Sequence, residues 1–206
     1  MACHSTSDPA LISVVAYDRP FQRQSIAVPY LTLRLAGIRA FMGGSLTVPA
    51  VLSPSIPPID RLAHAFLTGE AVVPADLELS FLNDWIDQQF KEIPVMVRFT
   101  GTDIDLQTMV ANFDHTGELL ISVAHNDHPF LSGFQNAKFR AVHDWHHLVV
   151  GADSSFRGEV ATFKHAAMHA PKEMRWMLFS EIVLQAATAI STGDFAAQKL
   201  VRIPGL

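Results

Sequence analysis

The sequence predicts an α+β fold: a small β-sheet beside a predominantly helical C-terminal half, in a single domain with an apolar N-terminal extension. Three observations carry this. An alternating run, Pro94–Thr100, and a second strand-like run, Glu118–Ala124, flank a segment of helical character, Asp103–Asn112. From Asn136 onward the apolar positions recur at helical spacing, and Gly151 and Gly193 fall where left-handed C′ residues close helices. Residues 1–59 are rich in Pro, Gly and Ser yet apolar, which separates them from a domain at 60–206.

Within the extension, Leu11–Tyr17 and Ala27–Leu35 contain β-type runs, and Gly43-Gly44, Pro49, Pro54 and Pro57-Pro58 punctuate the rest. Disordered arms are normally polar, so this one is expected to pack on the main body or on a neighbouring subunit. Asp60–Thr68 reads as a short helix capped by Asp60 and ending near Gly69. Pro74–Glu92 is a longer one, capped by Asp76, with Leu79, Leu82, Ile86 and Phe90 at helical spacing. In Pro94–Thr100, Val95, Val97 and Phe99 alternate as in a strand, and His115-Thr116-Gly117 reads as the turn into Glu118–Ala124. The β-α-β order sets a small sheet beside helices. Three helices follow, over 136–150, 157–169 and 172–191, the last with Pro171 at its start.

Composition limits the classes of function. The 206 residues are 49% hydrophobic and 17% charged, with a mean hydropathy of +0.22. So apolar a chain needs a large core, a pocket or a subunit interface, and a homo-oligomer is expected. Fifteen Lys and Arg form no basic stripe, and the net charge is −5, so no nucleic-acid partner is expected. Cys3 is the single cysteine, which excludes intrachain disulfides and thiolate metal clusters. Met1–Pro9 is polar and leads into no uninterrupted apolar region, and Ile26–Pro58 is broken by Arg34, Arg39 and five prolines. No membrane partner is expected, and the location expected is the cytoplasm.

The chemistry concentrates in Phe139-Arg140-Ala141-Val142-His143-Asp144-Trp145-His146-His147, followed by Gly158-Glu159, His165 and His169. Neutral imidazole and carboxylate build zinc and non-haem iron sites. His143 and His147 are i and i+4, so their side chains leave one helical face about one turn apart, as in the His-x-x-x-His half of zinc hydrolase sites. His146, at i+3, competes with His147. Asp144 is rotated away by about 100° and suits orienting an imidazole better than binding metal. On the next helix, the macrodipole favours an ionised Glu159, and His165 and His169 repeat the i, i+4 spacing. On the last, Glu181 sits in the apolar run Met177–Leu184 and shares a face with Gln185; a carboxylate there needs a metal, arginine or histidine partner.

The expected metal ligands are therefore His143 and His147 with Glu181, or with Glu159 in its place. The spare carboxylate would act as general base, and Glu159, His165 and Asp144 form the catalytic set. His125-Asn126-Asp127-His128-Pro129 follows the second strand, where His128 could line the pocket or the turn could serve only the backbone. Arg140 either pairs with Asp144 one turn on or binds a substrate anion. His128, Arg140 and Gln185 are the expected substrate contacts. His143-Asp144 is also the dipeptide of HD phosphohydrolases, which need a further upstream His and a downstream Asp; only Asp153 and Asp194 follow.

These residues resemble a family of proteins in tailed phages and related bacterial sequences. Its pattern runs from a His-Pro turn to Phe-Arg-Ala-Val-His-Asp-x-x-Gly-His, a Gly-Glu helix with a His, a Thr-Glu-Thr helix and Phe-Ala-Asp-Gln-Lys with a nearby Pro. The matching pieces are His128-Pro129, Phe139 to Asp144, Gly158-Glu159 with His165, Ser180-Glu181, and Phe195-Ala196-Ala197-Gln198-Lys199 with Pro204, spanning about residues 75–206. The chain departs from the pattern where Trp145-His146-His147 lacks the Gly and is one residue shorter, and where Ala197 replaces the Asp. The resemblance implies roles for His143, Asp144, Glu159, His165 and Glu181 and brings no activity with it.

Together these readings lead to a metal-dependent hydrolase, using zinc or iron on a small polar substrate. The alternatives are a non-haem iron oxygenase and a non-enzymatic, phage-related assembly protein built around a buried His–Glu network.

Overall fold

The computed structural model describes residues 56–203; the β-type runs and the extension expected over most of 1–59, Cys3 and Pro204 lie outside the described residues. The fold is α+β, mostly helical with a two-stranded parallel sheet. Helices α1 (Ile59–Thr68) and α2 (Asp76–Glu92) lead to β1 (Val97–Thr100), α3 (Leu106–Thr116) and β2 (Leu119–Ser122). Then come α4 (Gly133–Val150), α5 (Phe156–His169) and a 3₁₀ turn, Lys172–Met174. Helix α6 (Arg175–Leu178), a π-helical segment (Phe179–Leu184) and α7 (Gln185–Thr192) run on without a break.

Several boundaries differ from the sequence reading, each for a local reason. Asp60 does not cap α1, whose first turn follows Pro58, and Pro there needs no N–H partner. Asp76 is the first helical residue of α2, not its cap; Glu78 reaches back and accepts the Ala75 N–H at 3.0 Å. Helix α3 starts later and ends later than expected: Asp105 Oδ1 accepts the Thr108 N–H at 2.7 Å, and His115 and Thr116 complete the last turn. Gly117, at φ 73°, then closes it, a conformation glycine adopts without cost. Ser132 caps α4 through the Gln135 N–H, so that helix begins before Asn136. Gly151 and Gly193 are left-handed C′ residues, as expected.

The strands pair in parallel, Val97 opposite Leu119 and Thr100 opposite Ser122, with α3 as the crossover. Leu119 and Ile121 are fully buried against the helices. Ile86 of α2, Met109 and Phe113 of α3, Val142 of α4, Ala166 of α5 and the run Met177–Leu184 meet them in one core. Lys138 of α4 binds Asp87 of α2 at 2.7 Å, one of the links between these packed helices. The segment after α7 returns across α1: the Lys199 ammonium caps the α1 carbonyls of Leu67 and Gly69, and the Val201 N–H donates to the buried Ser180 Oγ. A Cβ on Gly69 would collide with Val201, so this crossing requires glycine.

Candidate metal centre

Helices α4 and α5 pack as neighbours, and their facing residues create the site. Val142, buried against the core, sets the phase of α4 and turns His143 and His147 toward α5. Ser155 caps α5 through the Gly158 N–H, and the loop at Asp153 lies so close that a Cβ on Gly158 would overlap the Asp153 carbonyl. Gly158 thus lets the loop close over the first turn, and Glu159 emerges from that turn toward α4. The Gly158-Glu159 pair is one device: close approach, then carboxylate.

Three atoms converge there. His143 Nε2 and His147 Nε2 are 3.2 Å apart, and Glu159 Oε2 lies 3.4 Å from the first and 3.3 Å from the second. This group could hold a metal ion. His147 Nδ1 lies 3.3 Å from the Ala152 carbonyl, which can accept only if that nitrogen carries the proton; the Nε2 lone pair then faces the group. Burial works against a charge on His143, but the Glu159 carboxylate outweighs it and raises the imidazole above its ordinary pKa. Burial likewise disfavours charge on Glu159, yet the two facing imidazoles outweigh it and lower its carboxyl to about 2. The centre attracts positive charge: a proton holds it together where a cation would fit.

Glu181, the ligand favoured in the sequence reading, is outside this group, and Glu159 stands in it. The Glu181 side chain is 5% exposed and the His128 side chain 1%. Glu181 Oε1 is 3.3 Å from His128 Nε2, while Oε2 accepts from Gln185 at 2.9 Å and Gln198 at 3.0 Å. The π-helical segment carries Glu181, and such segments often mark functional positions. Gln198 was singled out in sequence only through the family resemblance, and its contact with Glu181 crosses from the segment after α7.

The competition between His146 and His147 resolves in favour of His147. His146 is 3% exposed, packs edge-on to His165 at 4.8 Å, and burial pushes its pKa down to about 2. His165, expected in the catalytic set, is outside the His143–His147–Glu159 group. It stands in a row, His146–His165–His169, and burial holds its pKa below the ordinary histidine value.

The group opens through His143 and Glu159 into a cavity of about 890 Å³, a size suited to a small molecule. His143, Asp144, Glu159, Arg140, Glu181, Gln185 and Gln198 line it. Asp144 neighbours the ligand pair; burial pushes its carboxyl above the ordinary aspartate range, against the pull of His143 and His147. Arg140 donates one N–H to the Ala124 carbonyl at 2.7 Å, just past β2, and makes no ion pair with Asp144 among the described residues. At the rim His125 adopts φ 53°, uncommon for a residue with a side chain, and the loop it begins delivers His128 to Glu181. Asn136 pins that loop by donating to Asn126 at 3.0 Å.

No protein-family model, curated protein or solved structure matches the chain. No helix among the described residues is long and apolar enough to cross a membrane.

Proposed function

We propose that the protein is a metal-dependent hydrolase acting on a small polar substrate, with His143, His147 and Glu159 as the ligands of one divalent ion. The carrying observation is the triangle of donor atoms, 3.2, 3.3 and 3.4 Å on its edges. Three ligands of a tetrahedral ion at 2.0–2.1 Å lie about 3.3–3.4 Å apart. The donor set is the two imidazoles and one carboxylate of hydrolytic zinc sites, and the cavity leaves a position open, as catalytic sites require.

The ion would supply a Lewis acid and a lowered pKa for a water molecule. Asp144 follows the first His of His-x-x-x-His, the position of the general base in hydrolytic zinc helices. Its raised carboxyl lets it take and return a proton. The remaining N–H groups of Arg140 are available to a substrate oxygen or carboxylate.

The test is elemental analysis of untagged protein, wild type and the variants His143→Ala and Glu159→Ala, with circular dichroism to check the fold. About one zinc per chain, lost in both variants, is the expected result. Asp144→Asn should keep the metal and lower turnover of small amide, ester or phosphoester substrates by about 10²–10⁴-fold. Wild-type protein that takes up no metal on anaerobic reconstitution would sink the reading and return the site to a buried His–Glu network. The same donor set favours a second reading, a non-haem iron oxygenase; stoichiometric iron with oxygen-dependent turnover would replace the first with it.

A further inference from the structure

Glu181 presents a problem of charge. His128 Nδ1 accepts two backbone N–H groups, from Phe130 at 3.1 Å and Leu131 at 2.9 Å. A nitrogen accepting two N–H groups carries no proton, so His128 is the neutral tautomer with its proton on Nε2. That proton points at Glu181 Oε1. The other two neighbours, Gln185 and Gln198, also turn donors toward the carboxylate. Surrounded by donors, Glu181 takes the acceptor-only role of an anion. Among the described residues, His128 is its only ion-pair partner within 4 Å, and that partner is uncharged. A side chain so deeply buried seldom holds a charge without a counter-charge.

The missing charge has a route in. Glu181 lies on the cavity wall together with both glutamines. The same wall holds Asp103, Asp105, Asp127 and Asp194, against Arg140 as its one Lys or Arg among the described residues, and a cavity lined by one sign of charge concentrates the opposite sign. A second metal ion is a poor fit, because His128 Nε2 is occupied by its proton and the amide nitrogens, not their oxygens, face the carboxylate. An organic cation suits the surroundings. Oε1 has a single long contact, and the Gln185 and Gln198 side-chain oxygens accept no hydrogen bond among the described residues.

We propose that Glu181, with Gln185 and Gln198, is the receptor for a primary ammonium or guanidinium group of the substrate. This deepens the hydrolase reading, on which the word substrate rests: the metal centre would act on one end of a molecule whose cationic end neutralises Glu181. His128 is a positioning residue that orients the carboxylate.

The test is binding, which needs no turnover. Metal-reconstituted protein is titrated with benzylamine and agmatine, and with benzyl alcohol as the uncharged counterpart, followed by NMR shifts of the cavity residues. The cations are expected to bind at least tenfold more tightly than the alcohol. Glu181→Gln is expected to lose that preference while its metal content stays at the wild-type level. Equal binding of the alcohol by wild type would overturn the proposal, and that comparison stands even if the variant fails to fold. Full cation binding by Glu181→Gln would also overturn it. So would loss of metal from that variant, which would make Glu181 a ligand. Repeating the titration on His143→Ala separates the two readings: cation binding without metal keeps the receptor and leaves the hydrolase to be judged on the metal alone.

Discussion

Glu159 Oε2 of α5 lies 3.3 Å from His147 Nε2 of α4, and this contact across the helix seam turns a His-x-x-x-His spacing into a three-sided site. It also divides the acidic residues by task. On the proposed function, Glu159→Gln should weaken metal binding by about 100-fold, because the variant removes one of three donors and the charge that would draw the ion. Glu181→Gln should leave it unchanged. Competition with a chromophoric chelator measures both. Equal losses would put both carboxylates on the metal.

Gly158 should tolerate no side chain. In Gly158→Ala the new methyl must displace the Asp153 carbonyl, which lies against it. A loss of about 1–3 kcal/mol, typical of overpacking, is expected in urea unfolding. Because Glu159 is the next residue, zinc affinity should fall with it. A stable variant with unaltered affinity would show that the loop moves independently of the site.

Glu78 ties three distant segments together. Its carboxylate accepts from the Ala75 N–H, Trp176 Nε1 at 2.9 Å and Arg202 at 2.6 Å, while the Arg202 guanidinium lies 4.1 Å from the Trp176 ring centre. Burial acts to raise the Glu78 carboxyl, but these hydrogen bonds outweigh it and hold it below the usual glutamate range. Its contribution is thus present above the unfolded glutamate pKa and is lost as pH falls through the lower, folded value. Glu78→Ala should cost about 1–2 kcal/mol at pH 7, and less near pH 3. Urea melts at the two pH values check this.

His165 should make the protein acid-labile. Burial first, and His169 second, hold its imidazole below the ordinary histidine pKa. The unfolded chain therefore binds a proton that the folded one refuses. Stability is intact above about pH 6.5 and falls as pH drops from there toward the folded value, by up to about 1.4 kcal/mol per pH unit for each such histidine. His165→Leu should flatten the slope between pH 6.5 and 5, whatever it does to stability at pH 7. An unchanged slope would locate the acid sensitivity elsewhere.

Much of the fold was legible because its signals are local. Alternation marked the strand around Val97, helical spacing marked α2, α4 and α5, and Gly151 and Gly193 ended their helices. The errors were also local. Asp60 and Asp76 looked like caps, but a cap depends on backbone angles that residue type alone does not set. The π-helical segment left no trace in the periodicity, since it shifts the phase within an already apolar run.

The sequence by itself determined the donor types, the i, i+4 pairing of His143 with His147, and the proximity of Gly158 to Glu159 in the chain. These follow from helix geometry, a property of neighbouring residues. Only the tertiary structure decided which carboxylate completes the triangle, which of His146 and His147 faces it, and that His165 stands outside it. Those outcomes depend on the rotation of each helix about its axis. That rotation is set by burying apolar residues far apart in sequence in one core, as Val142 of α4 packs with Ile86 of α2 and the run Met177–Leu184.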